Sequence, residues 1–441
     1  MSGRPSLFRR RSVRAPAIAL CLTLLPVIAY GANRSFLHAT LLRSTPAANS
    51  RVSKQPATIQ LVFSEQVVPE LSQISLVAPD GKATALKVTT DPHDVHTLIG
   101  SVSAISSGSY KVVWRVLSAD GHPVGGAFSF LIVPDSTVRD TSMSSGTPTS
   151  SEITTIPVLA SVLRGVGLGA MMAGLGLLFF GVTAGEQRSF APRKVVIRLV
   201  VIGAGLLMAH LIAWMYDISP TGSLRGYFSI SVLGSTPGKI ELTRVALALL
   251  TAWTILMRWE TVALVFGGAC LLVSGAVGHP AAIHPYWTIP AKMVHLTAGS
   301  LWLGGLLWLV SISRQNETTF PIEAKRVSSA ALLGVIAIFF SGTIQARFFL
   351  NTPGDLIHSV YGRLALAKMI GLVILIGFGA YNRLGVLPQI DSTRARPKLV
   401  RSVRQEIVIM ILLILIGGFL SYVPTPPTLQ SSLSVFTGRS Q

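Results

Sequence analysis

The sequence is poor in cysteine. Cys21 lies near the N-terminus and Cys270 lies inside an apolar run, and the 441 residues contain no third cysteine. Two cysteines so far apart exclude both a disulfide framework and a CxxC metal site. A metal site in this chain would therefore have to use His, Met, Asp or Glu.

Acidic residues are also scarce. The chain has 18 Asp and Glu against 37 Lys and Arg, which gives a formal net charge of +19. A charge of this size first suggests nucleic acid as a partner. However, the basic residues gather in the N-terminal leader and in alternate short loops between apolar runs, which is the positive-inside pattern of membrane proteins. Nucleic acid is therefore not an expected partner.

Long apolar runs are abundant after residue 155. About eight have membrane-spanning length, at residues 156–183, 195–215, 241–258, 260–278, 287–312, 327–348, 362–382 and 405–423. We therefore expect residues 156–427 to form an all-α bundle of about eight helices in the lipid bilayer, followed by a polar tail at 428–441. The loop charges predict a bacterial inner-membrane protein with its N-terminal domain and C-terminus in the periplasm.

The segment ahead of the bundle has a different character. Residues 1–37 have a basic start and an apolar run and are predicted to be a signal peptide, with an uncleaved first span as the open alternative. Residues 38–133 contain short alternating strands and turn signals, which predict a small all-β sandwich or barrel of Greek-key or Ig-like type. Residues 134–155 are rich in Ser and Thr and are predicted to be a flexible linker.

One pair of side chains in the β-region suits a metal. Asp120 and His122 are two apart, so in extended backbone they share a face, and Gly121 permits a tight turn between them. A carboxylate and an imidazole form half of a tetragonal site that suits Cu(II), which the ring of His38 could complete. An Asp–His hydrogen bond that caps a turn is the open alternative. Further exposed candidates are His93 and His96.

The residues around this pair resemble a known family. YKVVWRVLSADGHPVGGAFSF, together with HATLLRSTPAANSRV and IQLVFSEQV, is similar to the CopC family of periplasmic copper-binding proteins over most of residues 38–131. The resemblance implies a small β-barrel with a Cu(II) site formed by His38, Asp120 and His122. The family frees its histidine at the N-terminus, whereas cleavage after Gly31 or Ala32 would leave residues ahead of His38. No Met lies between residues 38 and 133, so the Met-rich Cu(I) site of some members is not expected.

Histidines mark a second candidate site in the bundle. Histidine is rare within membrane spans and usually functional there, whereas Met in a span is usually packing. His295 lies in the fifth predicted span, about two turns from its outer end, and His279 and His284 precede it in an outer loop. The spacing suggests a path from the loop imidazoles inward to His295. His210 and His358 are weaker candidates.

The bundle also resembles a known family. SGAVGHP, VHLTAGSLWLGGLLWL and SGTIQARFFLNTPGDLIHSVYGRLALAKM are similar to the CopD family of inner-membrane copper-resistance proteins, and the similarity extends over roughly residues 156–427. It implies an eight-span bundle that handles copper, with His279 and His295 as ligands. Other matched positions correspond to packing or interface residues of the family: Trp302, Gly304, Tyr361, Gly362, Arg363, Lys368 and Asn382.

Together the two resemblances predict a copper-homeostasis protein that is not an enzyme. Cu(II) would be captured by the β-domain, with other periplasmic copper carriers as expected partners, and would pass inward through the bundle as Cu(I) or Cu(II). No nucleotide-binding motif occurs, so ATP is not expected to drive the process. Two alternatives remain open: a haem-binding electron-transfer protein that uses His210 and His295, and a copper sensor or scaffold that does not transport.

Overall fold

The N-terminal part of the protein is a two-sheet sandwich. The computed structural model describes residues 39, 41–64, 66–118, 121, 123–133, 158–184, 192–218, 234–313, 319–392, 394–423 and 425–426. One sheet has the order β1 (Leu41–Thr45), β3 (Thr58–Phe63), β7 (Asp94–Ser101), β6 (Lys87–Asp91). The other has the order β2 (Arg51–Val52), β9 (Pro123–Ile132), β8 (Gly108–Ser118), β4 (Val67–Val77), β5 (Ala83–Ala85). The pairs are antiparallel except β2 with β9, and the prediction of an all-β domain is confirmed.

The sandwich core follows from alternation along the strands. In β8, Tyr110, Val112 and Trp114 are buried while the residues between them point outward. The ring of Phe63 meets the Trp114 indole edge-on, with centroids 5.3 Å apart. A Cβ at Gly126 in β9 would lie 2.6 Å from the Trp114 ring. Only glycine at this position lets the indole lie flat on the neighbouring strand.

The hairpin between β8 and β9 carries the predicted copper residues. Leu117 pairs with Pro123 at the end of the ladder, so the connection between β8 and β9 is short, and Gly121 is its described residue. Gly121 has φ of +89°, a conformation that favours glycine, and its amide donates to the Ser118 carbonyl at 2.9 Å. Asp120 and His122 flank this glycine and lie outside the described residues, as do His38, the leader, the linker and the polar tail.

The C-terminal part is a helical bundle. In the described residues its long helices are α1 (Val158–Val182), α2 (Arg193–Ile218), α3 (Thr236–Leu256), α4 (Glu260–Gly275), α6 (Pro285–Ile312), α7 (Phe320–Phe349), α9 (Val360–Ala380) and α10 (Ala395–Leu420). Short helices α5 (His279–Ala282) and α8 (Asp355–His358) lie between them. A π-helix (Tyr381–Val386) and a 3₁₀ turn (Leu387–Gln389) follow α9.

Six of these helices are long and apolar enough to cross a membrane: α1, α2, α6, α7, α9 with its π extension, and α10. The expected number of about eight spans is therefore not confirmed. Helix α3 carries Lys239, Glu241 and Arg244 in its first half, which lowers its apolar character. Helix α4 has 16 residues, about 24 Å at 1.5 Å per residue, which is shorter than the hydrocarbon core of a bilayer.

Helix α1 lies at the centre of the bundle and packs against α2, α4, α6 and α10. Glycines permit these close contacts. A Cβ at Gly176 would lie 2.0 Å from the Ser300 carbonyl oxygen, and one at Gly304 would lie 2.1 Å from the Gly176 carbonyl carbon. The Ser300 hydroxyl also donates to the Met172 carbonyl at 2.8 Å. The backbones of α1 and α6 therefore touch at this crossing.

Candidate functional site

The turn between β8 and β9 rests on the end of α2. Trp214 Nε1 donates a buried hydrogen bond to the Gly121 carbonyl at 2.8 Å. Leu71 and Leu117 of the sandwich join the same apolar cluster as Trp214 and Leu211. Because Gly121 lies between Asp120 and His122, this contact holds the predicted copper-binding turn against the bundle.

A cavity of about 690 Å³ lies beside this contact, between the sandwich and the bundle. Residues 66–70 and Gly121 line it from the sandwich, and bundle residues that include Trp214, Glu241 and Tyr422 line it from below. This volume holds many water molecules. The turn therefore borders a chamber at the end of the helices that has room for water.

Buried charged groups form the floor of the cavity. Arg244 Nη2 donates to Glu241 Oε2 and to His210 Nδ1, the latter at 2.8 Å, and His210 Nε2 lies 2.5 Å from the Tyr422 hydroxyl. Since a guanidinium can only donate, His210 Nδ1 accepts and Nε2 is left to donate to Tyr422. Both imidazole nitrogens are thus engaged, and a metal or haem could bind His210 only after one of these bonds is broken.

A second guanidinium adds positive charge to this floor. Arg164 is buried, and its Nη2 donates to the Val277 carbonyl at 3.0 Å. Its guanidinium lies over the Tyr422 ring at 5.9 Å. Two arginines against the single carboxylate of Glu241 leave an excess positive charge, which disfavours a free cation at His210.

His279 follows a residue that lines the same chamber. It begins α5, is 4% exposed, and its Nε2 donates to the Val423 carbonyl at 2.8 Å. The rings of Phe349 and Tyr361 lie around it, with centroids 6.2 and 5.8 Å away. Its neighbour Gly278 lines the cavity. His279 is thus next to the chamber, held in an aromatic setting.

His295 lies deeper, on α6. Its Nδ1 is 3.1 Å from the Ser341 hydroxyl on α7, and in the described part of the chain its Nε2 has no hydrogen-bond partner. No hydrogen bond or ring contact between described residues joins His295 to His279. The described residues also contain no group of three His, Cys, Asp or Glu side chains that could hold a metal ion.

The remaining histidines occupy peripheral positions. His284 and His358 are exposed, and the ring of His284 packs on Phe348 at 4.8 Å. His96 Nδ1 lies 3.0 Å from Asp94, whose carboxylate also accepts from the Thr97 hydroxyl at 2.6 Å. The Thr97 hydrogen bond is the largest cause that lowers the pKa of Asp94 below its usual value. In the same region the Asp91 carboxylate accepts from the His93 amide. These hydrogen bonds stabilise the turn between β6 and β7.

Sequence reasoning missed the buried network on α3. It treated His210 as a weaker candidate and did not consider Arg164, Glu241 or Arg244. The sequence does contain a pattern that indicates this network: Glu241 and Arg244 are three residues apart in an apolar helix and so share a face. Ionisable residues in such helices default to a functional interpretation.

Taken together, a β-sandwich seated on a helical bundle with six candidate membrane spans defines a two-part membrane protein with a chamber between its parts. Comparison with known proteins gives the family. The chain belongs to the CopC family: residues 41–133 match the CopC domain, and residues 323–420 match the domain called Copper resistance protein D. Copper is accordingly the ligand of this copper resistance and transport family.

Two relatives and one solved structure illustrate the similarity. Copper transport protein CutJ of Bacillus subtilis (strain 168) is 24% identical over 431 residues, which cover 89% of this chain and 75% of CutJ. Copper resistance protein C of Pseudomonas syringae pv. tomato is 35% identical over 104 residues, 22% of this chain and 80% of that protein. The crystal structure of CopC from Methylosinus trichosporium OB3b is 30% identical and covers 23% of this chain and all of that chain, with a TM-score of 0.22.

Proposed function

We propose that the protein captures copper at the turn between β8 and β9 and passes it into the membrane bundle. The hydrogen bond from Trp214 to the Gly121 carbonyl carries this proposal. An ion bound by Asp120 and His122 would lie at the edge of the interdomain cavity. The donor site and the entrance of the bundle are then within one assembly, and copper need not diffuse between them.

The positions of the histidines around the cavity suggest the path inward. Both nitrogens of His210 are already hydrogen-bonded, to Arg244 and to Tyr422, whereas Gly278 on the cavity wall immediately precedes His279 at the start of α5. We place the transfer from Asp120 and His122 to His279 and then to His295. The free Nε2 of His295 is a nitrogen donor that neighbouring residues leave available.

The proposal also covers the position of the protein in the membrane. In it all eight long helices cross the bilayer: the pairing of Glu241 with Arg244 lets α3 bury these two charges, and local thinning of the bilayer accommodates the short helix α4. The basic loops lie in the cytoplasm, and the sandwich and the C-terminus lie in the periplasm, where other copper carriers supply the ion. Copper moves inward, as Cu(II) in the sandwich and as Cu(I) or Cu(II) in the bundle. The protein acts without ATP and is not an enzyme.

Replacement of Trp214 by Phe tests the transfer. Phe keeps an aromatic ring but cannot donate to Gly121, and a hydrogen bond contributes about 0.5–1.5 kcal/mol. We expect cellular copper accumulation to become about two- to tenfold slower, while copper titration of the purified variant matches the wild type because no ligand has changed.

A matched control is Trp253→Phe, since Trp253 lies on α3 and is largely exposed. This control should accumulate copper like the wild type, and a double Asp120→Ala, His122→Ala variant should lose both binding and accumulation. Wild-type accumulation by the Trp214→Phe variant would contradict transfer at this contact. Copper levels that are unaffected by deletion of the gene would contradict transport itself.

A further inference from the structure

Three buried glutamates in the described bundle differ in their partners. Glu241, Glu323 and Glu406 are 3%, 4% and 2% exposed. Glu241 pairs with Arg244. Glu323 accepts from Trp308 Nε1 at 2.7 Å and lies 3.4 Å from the Arg326 guanidinium.

Glu406 on α10 has a neutral partner instead. Its Oε1 accepts from Asn382 Nδ2 at 2.6 Å. Among the described residues no Lys, Arg or His forms an ion pair with this carboxyl group. An ionised carboxylate buried without a counter-ion is costly, so this setting favours a carboxyl group that carries its proton.

Glu406 and Asn382 line a second cavity, of about 230 Å³, enclosed by α6, α7, the end of α9 and α10. Two further polar atoms of its lining residues are buried without a hydrogen-bond partner in the described structure, Asn382 Oδ1 and Trp302 Nε1. Most of the other lining residues are aliphatic. Water molecules could donate to Asn382 Oδ1 and accept from Trp302 Nε1, and the cavity has room for several.

The backbone is irregular at this place. Asn382 belongs to the π-helix that extends α9, and such segments often occur at functional sites. Asn382 is buried, whereas its neighbours Tyr381 and Arg383 are exposed. The other charged residue that lines the cavity is Arg383. Its guanidinium lies at the exposed rim and donates to the Ser328 hydroxyl, 3.1 Å away. Helices α6 and α7 supply no charged side chain to the cavity lining.

We propose that Glu406 is a proton-binding group, held by Asn382 and reached through water in this cavity. In this step a hydronium ion in the cavity gives its proton to the Glu406 carboxylate: one O–H bond of hydronium breaks, the O–H bond of the carboxyl group forms, and a water molecule remains. The reverse step regenerates hydronium. A further consequence rests on the proposed copper transport. Proton binding and release at Glu406 would couple copper movement to the proton gradient, which supplies a driving force in a chain without a nucleotide-binding motif.

Labelling with dicyclohexylcarbodiimide tests the site without copper, because this lipophilic reagent modifies protonated carboxyl groups. The purified full-length protein is treated over a range of pH, and the adducts on each peptide are measured by mass spectrometry. We expect an adduct at Glu406 that falls about tenfold per pH unit once the carboxyl ionises. Glu241 and Glu323, each paired with an arginine, should remain unlabelled in the same sample.

A Glu406→Gln variant, close in shape and still able to bond Asn382, should lose the adduct while it elutes as folded protein. The proton site is overturned if folded wild-type protein shows no adduct at Glu406 at any pH, or equal adducts at all three glutamates. Coupling is measured in proteoliposomes, where copper uptake by the wild type should change the internal pH and uptake by Glu406→Gln should not. Labelling without copper uptake by the wild type would contradict the transport proposal and leave the proton site standing.

Discussion

Buried charges at the residue scale determine which parts of the bundle can hold a cation. Arg244 is fully buried, and within the described structure its Nε and Nη1 have no hydrogen-bond partner. Its charge is balanced by Glu241 alone among the described residues. A buried ion pair adds little net stability, but removal of one partner leaves an uncompensated charge. Glu241 is therefore expected to be structural rather than a copper ligand.

Replacement of Glu241 by Gln should destabilise the bundle. The amide keeps the shape of the side chain but leaves the Arg244 charge unpaired, and such a loss costs about 3–5 kcal/mol. The free energy of unfolding in detergent measures the effect. Glu70→Gln is a suitable control because Glu70 is exposed. This variant should change the free energy of unfolding very little. A double Glu241→Gln, Arg244→Met variant should recover much of the loss, and failure to do so would argue that Glu241 acts in another way.

The candidate site was predictable from sequence only in part. The turn at Gly121 follows from local sequence, because glycine at φ of +89° joins two strands whose alternation is clear. The contact of that turn with Trp214 does not follow from local sequence, because it depends on how the two domains pack together. Likewise His279 and His295 stood out as rare histidines in apolar surroundings, but no local pattern tells which helix faces each imidazole.

At the scale of elements, α1 and α6 depend on a glycine contact. The backbones meet where Gly176 faces Ser300 and Gly304, and this crossing places α6, which carries His295, against the central helix. The resemblance had assigned Gly304 to packing, and the close approach at this residue agrees with that assignment. A larger side chain here would separate the two helices.

Replacement of Gly176 by Ala should therefore be destabilising although alanine favours helices. The added Cβ would lie 2.0 Å from the Ser300 carbonyl oxygen, and overpacking of this kind costs about 1–3 kcal/mol. Gly205→Ala on α2 is the matched control, because nothing lies within 4 Å of a Cβ there. Thermal denaturation of both variants in detergent provides the comparison. Equal stability of the two would mean that the helices can separate at little cost.

The elements themselves were predictable to different degrees. Alternating strands in the sandwich and the long apolar helices α1, α6 and α10 follow from periodicity and length. Helices α3 and α4 are intermediate: one carries three charged residues and the other has 16 residues. Their apolar runs suggested spans, but by length and composition six other helices of the described residues are the ones identified as candidate spans.

At the scale of the whole molecule, the β-sandwich and the bundle are joined twice. The chain connects them through residues 134–155, and the contact of Trp214 with Gly121 connects them in space. A short tether alone would keep the domains at an effective concentration of about millimolar, so even a weak contact can remain formed. The turn that we propose to bind copper is thus expected to stay at the bundle entrance for most of the time.

This arrangement requires that the sandwich lie outside the cytoplasm and the basic loops inside it. Single cysteines test the orientation in a chain whose Cys21 and Cys270 are replaced by Ser. Lys82→Cys places a thiol in the exposed turn before β5, and Gln389→Cys places one in the exposed segment after α9. A membrane-impermeant maleimide should label residue 82 but not residue 389 in intact spheroplasts, and permeabilised cells should label both. The positive-inside pattern fixes the orientation of all loops together. Labelling of residue 389 in intact spheroplasts would therefore show that the whole bundle has the opposite orientation, and it would contradict the inward direction proposed for copper.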